Sequence, residues 1–157
     1  MKNKVTLKGK KILAVDDEPD ILESIEEVLE HCDVDTAKDF KTAKQLLNSK
    51  TYDLVVLDIM GVQGYDLLKI AKEKNIRAVM LTSHALSPDN FAKSMDGGAH
   101  AYLPKNKLAE LDVFLEDVLG DDGQKPGVLG MWFDRLKGYY EKKFGPGWLD
   151  EYKGSWH

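Results

Sequence analysis

The sequence predicts an α/β fold: a doubly wound, five-stranded parallel sheet with helices on both faces, plus a C-terminal helical extension. Three observations predict it. Short apolar runs alternate with amphipathic segments along the first 120 residues. The runs are 3–6 residues long, too short for helices and suited to strands covered on both faces. The segments between them carry apolar residues at helical spacing, so five strand–helix repeats follow one another.

The first run is Lys11-Ile12-Leu13-Ala14-Val15. Pro19 stands where a first helical turn should begin, and Ile21, Leu22, Ile25, Val28 and Leu29 form the stripe behind it. The second run, Val34-Asp35-Thr36-Ala37, precedes Phe40, Ala43, Leu46 and Leu47. The third, Tyr52 to Leu57, precedes Leu67, Leu68, Ile70 and Ala71. After the fourth, Ala78 to Leu81, Ser87 reads as the N-cap of a helix opening at Pro88 and carrying Phe91 and Met95. The fifth, Ala101-Tyr102-Leu103, leads to Leu108, Leu111, Phe114, Leu115 and Val118. Turn formers from Gly120 to Gly127 then break the pattern. The chain thus divides into a basic lead (1–10), a globular unit (11–120), a linker (121–127) and an aromatic-rich helical tail (128–157).

With 43% hydrophobic and 31% charged residues, the 157-residue chain is globular rather than disordered. A net charge of −5 supplies no basic field for nucleic acid. Cys32 is the single cysteine and reads as a small apolar thiol in a reducing compartment. The basic start MKNKVTLKGKK leads into no apolar signal core, and no apolar run is long enough to span a bilayer. A cytoplasmic protein without membrane insertion is expected.

Ligands of doubly wound sheets bind beyond the carboxyl ends of the strands, and those ends are chemically loaded. The first strand ends in Asp16-Asp17-Glu18, the third in Asp58 and the fourth in Thr82-Ser83, while Lys105 follows the fifth. Two like charges ~4 Å apart repel by about 4 kcal/mol at an effective dielectric near 20. Such a cluster persists when a carboxylate protonates or a cation neutralises it. An all-oxygen set suits Mg²⁺, and no His or Cys pattern competes for a softer ion. Helix capping accounts well for Glu18 and less fully for Asp17, but not for an acid, a hydroxyl and a lysine at three further tips.

These motifs resemble the receiver domain of two-component response regulators over Lys10 to Gly120: VDDE (Val15–Glu18), LDIM (Leu57–Met60), MLTSHA (Met80–Ala85) and GGAHAYLPK (Gly97–Lys105), in that order. The resemblance implies a flavodoxin-like sheet of order 2-1-3-4-5. It implies that Asp58 accepts a phosphoryl group from a histidine kinase or phosphotransfer protein, and that the protein is a switch for a protein target rather than an enzyme. Asp17, Asp58 and the Met60 carbonyl would bind Mg²⁺, with Asp16 acting partly through water. Lys105 and Thr82 would hold phosphoryl oxygens, and Tyr102 would be the aromatic that turns inward when Thr82 moves.

Two departures mark the chain. Val62 stands where receivers usually carry proline, and the loop Ile59 to Asp66 is about two residues shorter than usual, with Gly61 and Gly64 supplying a tight backbone. The usual Lys-Pro is Lys105-Asn106. A non-proline cis bond costs about 2.5–4 kcal/mol, so this bond is either trans with a displaced Lys105 or cis and held by its surroundings. A retained site is expected, because Lys105 itself is present. Met60 and His84 lie where they would tune the lifetime of an acyl phosphate, although His84 reads more readily as a partly exposed loop residue. His31, His100 and His157 read as surface groups.

In the tail, Leu129, Trp132, Phe133, Leu136 and Tyr140 share one helical face, and Asp134, Arg135, Lys137, Glu141 and Lys142 the other. Gly145-Pro146-Gly147 ends the helix, and all three tryptophans (Trp132, Trp148, Trp156) lie here. The apolar face must pack on its own domain, on a second copy in a homodimer, or on a partner. The tail is short for a DNA-binding output domain. A receiver-fold binding module independent of phosphorylation is the main alternative. A dehalogenase-type hydrolase would need a second acid where Met60 stands, and a flavin cofactor's phosphate would be repelled by the acids at 16–18.

Overall fold

Leu54-Val55-Val56-Leu57-Asp58 is buried along its whole length, which places it at the centre of a sheet covered on both sides. The computed structural model describes residues 6–120 and 131–152. The strands are β1 (Lys11–Val15), β2 (Asp33–Ala37), β3 (Leu54–Asp58), β4 (Arg77–Thr82) and β5 (Ala101–Pro104). They lie in the order β2-β1-β3-β4-β5, every pair parallel. Helices α1 (Pro19–Val28), α2 (Phe40–Ser49), α3 (Gly64–Glu73), α4 (Pro88–Asp96) and α5 (Leu111–Leu119) return the chain between and after the strands, with a 3₁₀ turn at Lys105–Glu110. The register pairs Val15 with Leu57, Asp58 with Leu81 and Thr82 with Pro104. Parallel strands in this register bring the chemically loaded tips to one edge.

Several local expectations hold for physical reasons. Ser87 caps α4, its hydroxyl accepting from Asn90 N at 3.1 Å, and Pro88 follows as the first helical residue. Leu22, Ile25, Leu67, Leu68, Phe91, Met95, Phe114 and Leu115 face the interior. Three details differ. The third strand begins at Leu54, where pairing with Ile12 and Arg77 starts, rather than at Tyr52, whose hydroxyl donates to the Asp35 carboxylate at 2.7 Å. Glu18 occupies the N-cap position of α1 without a side-chain capping bond; Asp16 Oδ1 instead accepts from Glu18 N at 2.9 Å. His100 is not a free surface group. It is half-buried, its Nδ1 accepts from Ala78 N at 3.4 Å, and burial followed by the Arg77 charge lowers its pKa. Cys32 is half-buried, its thiol donating to Leu7 O at 3.3 Å, and burial raises its pKa.

The tail forms α6 (Met131–Phe144) and a 3₁₀ segment at Trp148–Tyr152. Gly145 stops the helix with φ +95°, its N–H closing on Glu141 O at 2.9 Å. Trp132, Phe133, Leu136 and Tyr140 are buried, while Asp134, Arg135, Lys137, Glu141 and Lys142 are exposed, as the periodicity predicts. The apolar face is seated on the chain's own α4, β5 and α5. Phe91 of α4 is the hub, its ring centroid 4.9 Å from Trp148, 5.4 Å from Tyr102, 5.5 Å from Tyr140, 5.8 Å from Phe133 and 6.1 Å from Trp132. Arg135 closes the edge with a two-pronged pair to Asp117 at 2.6 and 3.2 Å. The expected linker at 121–127, together with Leu129, Trp156 and His157, lies outside the described residues. No described helix is long and apolar enough to cross a membrane.

Candidate functional site

Strand tips position the polar groups. Asp58 is the last residue of β3, Asp16 follows β1 and Lys105 follows β5. Their side chains are 6%, 1% and 7% exposed, so each charge is largely out of water and must find partners inside. The Lys105 ammonium supplies them, lying 2.9 Å from Asp16 Oδ2 and 3.2 Å from Asp58 Oδ1, with Glu18 Oε1 at 3.7 Å. The Lys105–Asn106 bond is trans, since the described residues contain no cis peptide, yet the lysine is not displaced from the acids.

One cation does not balance this many acids. Burial, followed by the Asp16 charge, pushes the Asp58 carboxyl up to about 6 despite Lys105. Burial also raises Asp16, against the pull of Lys105. Burial works to lower Lys105, but its bonds to Asp16 and the Asp58 charge outweigh it and hold the ammonium above its ordinary value.

The residues fit a hard dication. Asp16, Asp17 and Glu18 each bring one carboxylate oxygen within 4.8 Å of the others. The buried Asp16 Oδ2 makes no regular hydrogen bond and is held only by the ammonium ion pair, which leaves it coordination capacity. Glu18, read from sequence as a helix cap, therefore belongs to the acidic group. Asp58 joins that group through Lys105.

The short loop after Asp58 folds directly back on the strand tip. Ile59 and Val62 turn inward, 5% and 1% exposed, while Met60 stands outward at 55%. Gln63 adopts a left-handed conformation, φ 56°, at the start of α3. Gly64 passes so close that a Cβ there would lie 2.1 Å from the Asp58 carbonyl oxygen, and one on Gly61 would lie 2.6 Å from Asp17 Oδ2. Close approach to backbone thus demands glycine at 64, while at 61 the positive φ of +85° favours glycine and the obstacle is a side chain.

Thr82 ends β4 at 1% exposure and shares the edge, but its hydroxyl accepts from Ala85 N at 2.9 Å rather than bonding to Asp58. Tyr102 is fully buried and already turned inward. Its hydroxyl donates to Ala85 O at 2.6 Å and accepts from Ser87 N at 3.0 Å. His84 is exposed. Two contacts had no sequence signal: Asn106 Nδ2 donates to the Tyr139 hydroxyl at 3.0 Å, and the Tyr65 hydroxyl donates to Asn90 Oδ1 at 2.7 Å. Each joins residues far apart in sequence.

A profile of the response regulator receiver domain matches residues 12–115. The two-component response regulator ARR18 of Arabidopsis thaliana is 35% identical over 103 residues, covering 62% of this chain and 16% of that protein. The transcriptional regulatory protein TcrA of Mycobacterium tuberculosis is 34% identical over 103 residues, covering 62% of this chain and 40% of that protein. The chain thus spans less than half the length of these relatives. A CheY-like receiver domain protein from Methanospirillum hungatei is similar in structure, with a TM-score of 0.60 at 27% identity, covering 70% of this chain and 95% of that one. The receiver domain of Francisella response regulator 1452 gives 0.59 at 29%, covering 69% and 97%.

Proposed function

Because the chain belongs to the response regulator receiver domain family, we propose that it is a phosphorylation switch in which Asp58 takes a phosphoryl group from the phosphohistidine of a sensor kinase or phosphotransfer protein. The observation that carries this reading is the Lys105 ammonium bridging Asp16 and Asp58 at 2.9 and 3.2 Å, at the edge where the strand tips converge. A carboxylate oxygen of Asp58 attacks phosphorus. The new P–O bond forms as the P–N bond breaks, and the imidazole nitrogen keeps the electron pair. Lys105 moves from the carboxylate to a phosphoryl oxygen, and the Thr82 hydroxyl donates to another. Asp16, Asp17 and Asp58, with the Met60 carbonyl, would hold Mg²⁺, with Glu18 at the rim of the same acidic group. Bound there, the ion would neutralise charge on the phosphoryl oxygens. The product is a charge change beside the end of β4 and the helix that follows it, read by a protein target, and not a turnover reaction. The unit carrying this chemistry is 11–120, with 128–157 as its appended tail.

Phosphate-affinity electrophoresis with a small acyl phosphate donor tests it. A shifted band that requires Mg²⁺ and vanishes in Asp58→Asn is expected. No shift under conditions that leave the protein folded would return the chain to the phosphorylation-independent binding module.

A further inference from the structure

We propose that the C-terminal segment, α6 with Trp148–Tyr152, is a resident ligand of the face made by α4, β5 and α5, and that its docking and phosphoryl binding at Asp58 strengthen each other. The inference rests on the reading of Asp58 as the acceptor. A buried chain of hydrogen bonds joins the two places. Thr82 Oγ1 accepts from Ala85 N at 2.9 Å, Ala85 O accepts from the Tyr102 hydroxyl at 2.6 Å, and Tyr102 O accepts from the Tyr140 hydroxyl of α6. Thr82, Ala85, Tyr102 and Tyr140 are all buried, so no water competes along the path.

Two further links run beside it. Asn106 is bonded to Tyr139 and is the neighbour of Lys105, which leaves the carboxylates for the phosphoryl group. Tyr65, next to Gly64 of the short acceptor loop, holds Asn90, and the following residue, Phe91, is the ring on which the tail aromatics converge. Asn106, which stands in place of the usual proline, is thus tied to the tail directly, and Tyr65 of the shortened loop is tied to it through α4.

The sign of the coupling follows from the same contacts. The Tyr102 ring is enclosed by Phe91 at 5.4 Å and Tyr140 at 6.0 Å, so it cannot swing outward while α6 is seated. A docked tail therefore fixes Tyr102 inward and fixes Ala85 beneath Thr82. In that arrangement the Thr82 hydroxyl accepts from Ala85 N, which leaves its own proton for a phosphoryl oxygen. Conversely, a phosphoryl group that holds Thr82 holds the Tyr102 carbonyl to which Tyr140 bonds. Binding free energies coupled in this way are reciprocal.

The test uses the full chain with Mg²⁺ and beryllofluoride as the phosphoryl mimic, reading amide exchange in α6 by mass spectrometry. Exchange should slow by about fivefold or more when the mimic binds. Trp132→Ala, which loosens the seat, should weaken beryllofluoride binding by a comparable factor. Tyr140→Phe, which keeps the ring and removes one bond, should weaken it less. Exchange in α6 that stays unchanged or quickens while fluorine NMR shows bound mimic would overturn the coupling. No bound mimic at all, with Asp58→Asn indistinguishable from the parent, would instead mean that the acceptor reading has failed, and the coupling with it.

Discussion

The side-chain amide of Asn106 donates to the Tyr139 hydroxyl at 3.0 Å, while the residue before it, Lys105, sits 3.2 Å from Asp58. One dipeptide therefore faces the acids on one side and α6 on the other. The Tyr139 ring also carries the ammonium group of Lys107 at 5.5 Å, so the polar edge of the tail is anchored by a cation of the 3₁₀ turn as well as by the amide. Lys143, one turn on in α6, covers the same ring at 5.8 Å from within the helix. The residue that replaces the usual proline makes a tail contact that proline has no side-chain donor to make.

Lys105 is the only cation among the described residues that bridges Asp16 and Asp58, so Lys105→Met leaves two buried carboxylates facing each other. Breaking a buried pair costs about 3–5 kcal/mol, less whatever protonation recovers. Thermal unfolding without Mg²⁺ should show a marked loss. Added Mg²⁺ should then raise the midpoint of the variant by more than it raises the parent's, because the acids have lost their competing cation. An equal or smaller rise would mean that these acids do not form the metal site.

The two loop glycines should fail differently. At Gly64 the obstacle is backbone, the Asp58 carbonyl at 2.1 Å, so Gly64→Ala has to move the tip of β3 and should cost about 3 kcal/mol in urea unfolding. At Gly61 the obstacle is the Asp17 carboxylate at 2.6 Å, which can rotate away, although φ +85° adds strain. Gly61→Ala should cost only about 1–2 kcal/mol but weaken Mg²⁺ binding by about tenfold. Calorimetric titration separates the two effects.

The sheet was legible because strands buried on both faces are apolar without interruption, and Asp58 stood out as the acid that ends such a run. Asp16, Thr82 and Lys105 were legible as strand-tip residues in a recognisable order. The seat of the tail was not. A periodic face containing Trp132, Phe133 and Tyr140 says that something covers it, but Phe91 reads equally as an ordinary interior residue of α4. Tyr52 read as strand because it is aromatic beside an apolar run; only the fold reveals Asp35, 2.7 Å from its hydroxyl. Glu18 sits at the N-cap position of α1 yet its side chain caps nothing, and its own N–H goes to Asp16 Oδ1, a choice of bonding that composition does not encode.

The bond between Tyr52 and Asp35 carries a pH dependence. The Tyr52 hydroxyl, then the Lys50 ammonium at 3.1 Å, hold the Asp35 carboxyl below the usual carboxylate value. A carboxyl depressed in the folded state stabilises the fold above its unfolded pKa, and that stability is lost as pH falls through the folded one. Tyr52→Phe should therefore cost about 1 kcal/mol at pH 7. The gap between variant and parent should shrink below about pH 4, where Asp35 protonates in the unfolded chain. Urea midpoints at pH 7 and pH 3 measure both limbs, and a gap that widens in acid would contradict the assignment.

Phe91 makes the sharpest demand on the tail's position. It is fully buried and contacts Trp132, Phe133, Tyr140 and Trp148 from the α4 side. Truncating a buried phenylalanine costs about 3–5 kcal/mol. In Phe91→Ala the loss should fall on the tail first, because the sheet keeps its own core while the tail rings lose their common neighbour. Trp132 and Trp148 are 1% and 8% exposed, so native-state tryptophan emission should move to the red while far-ultraviolet circular dichroism keeps its sheet signature. Unchanged emission in a folded Phe91→Ala protein would place the tail somewhere other than on α4.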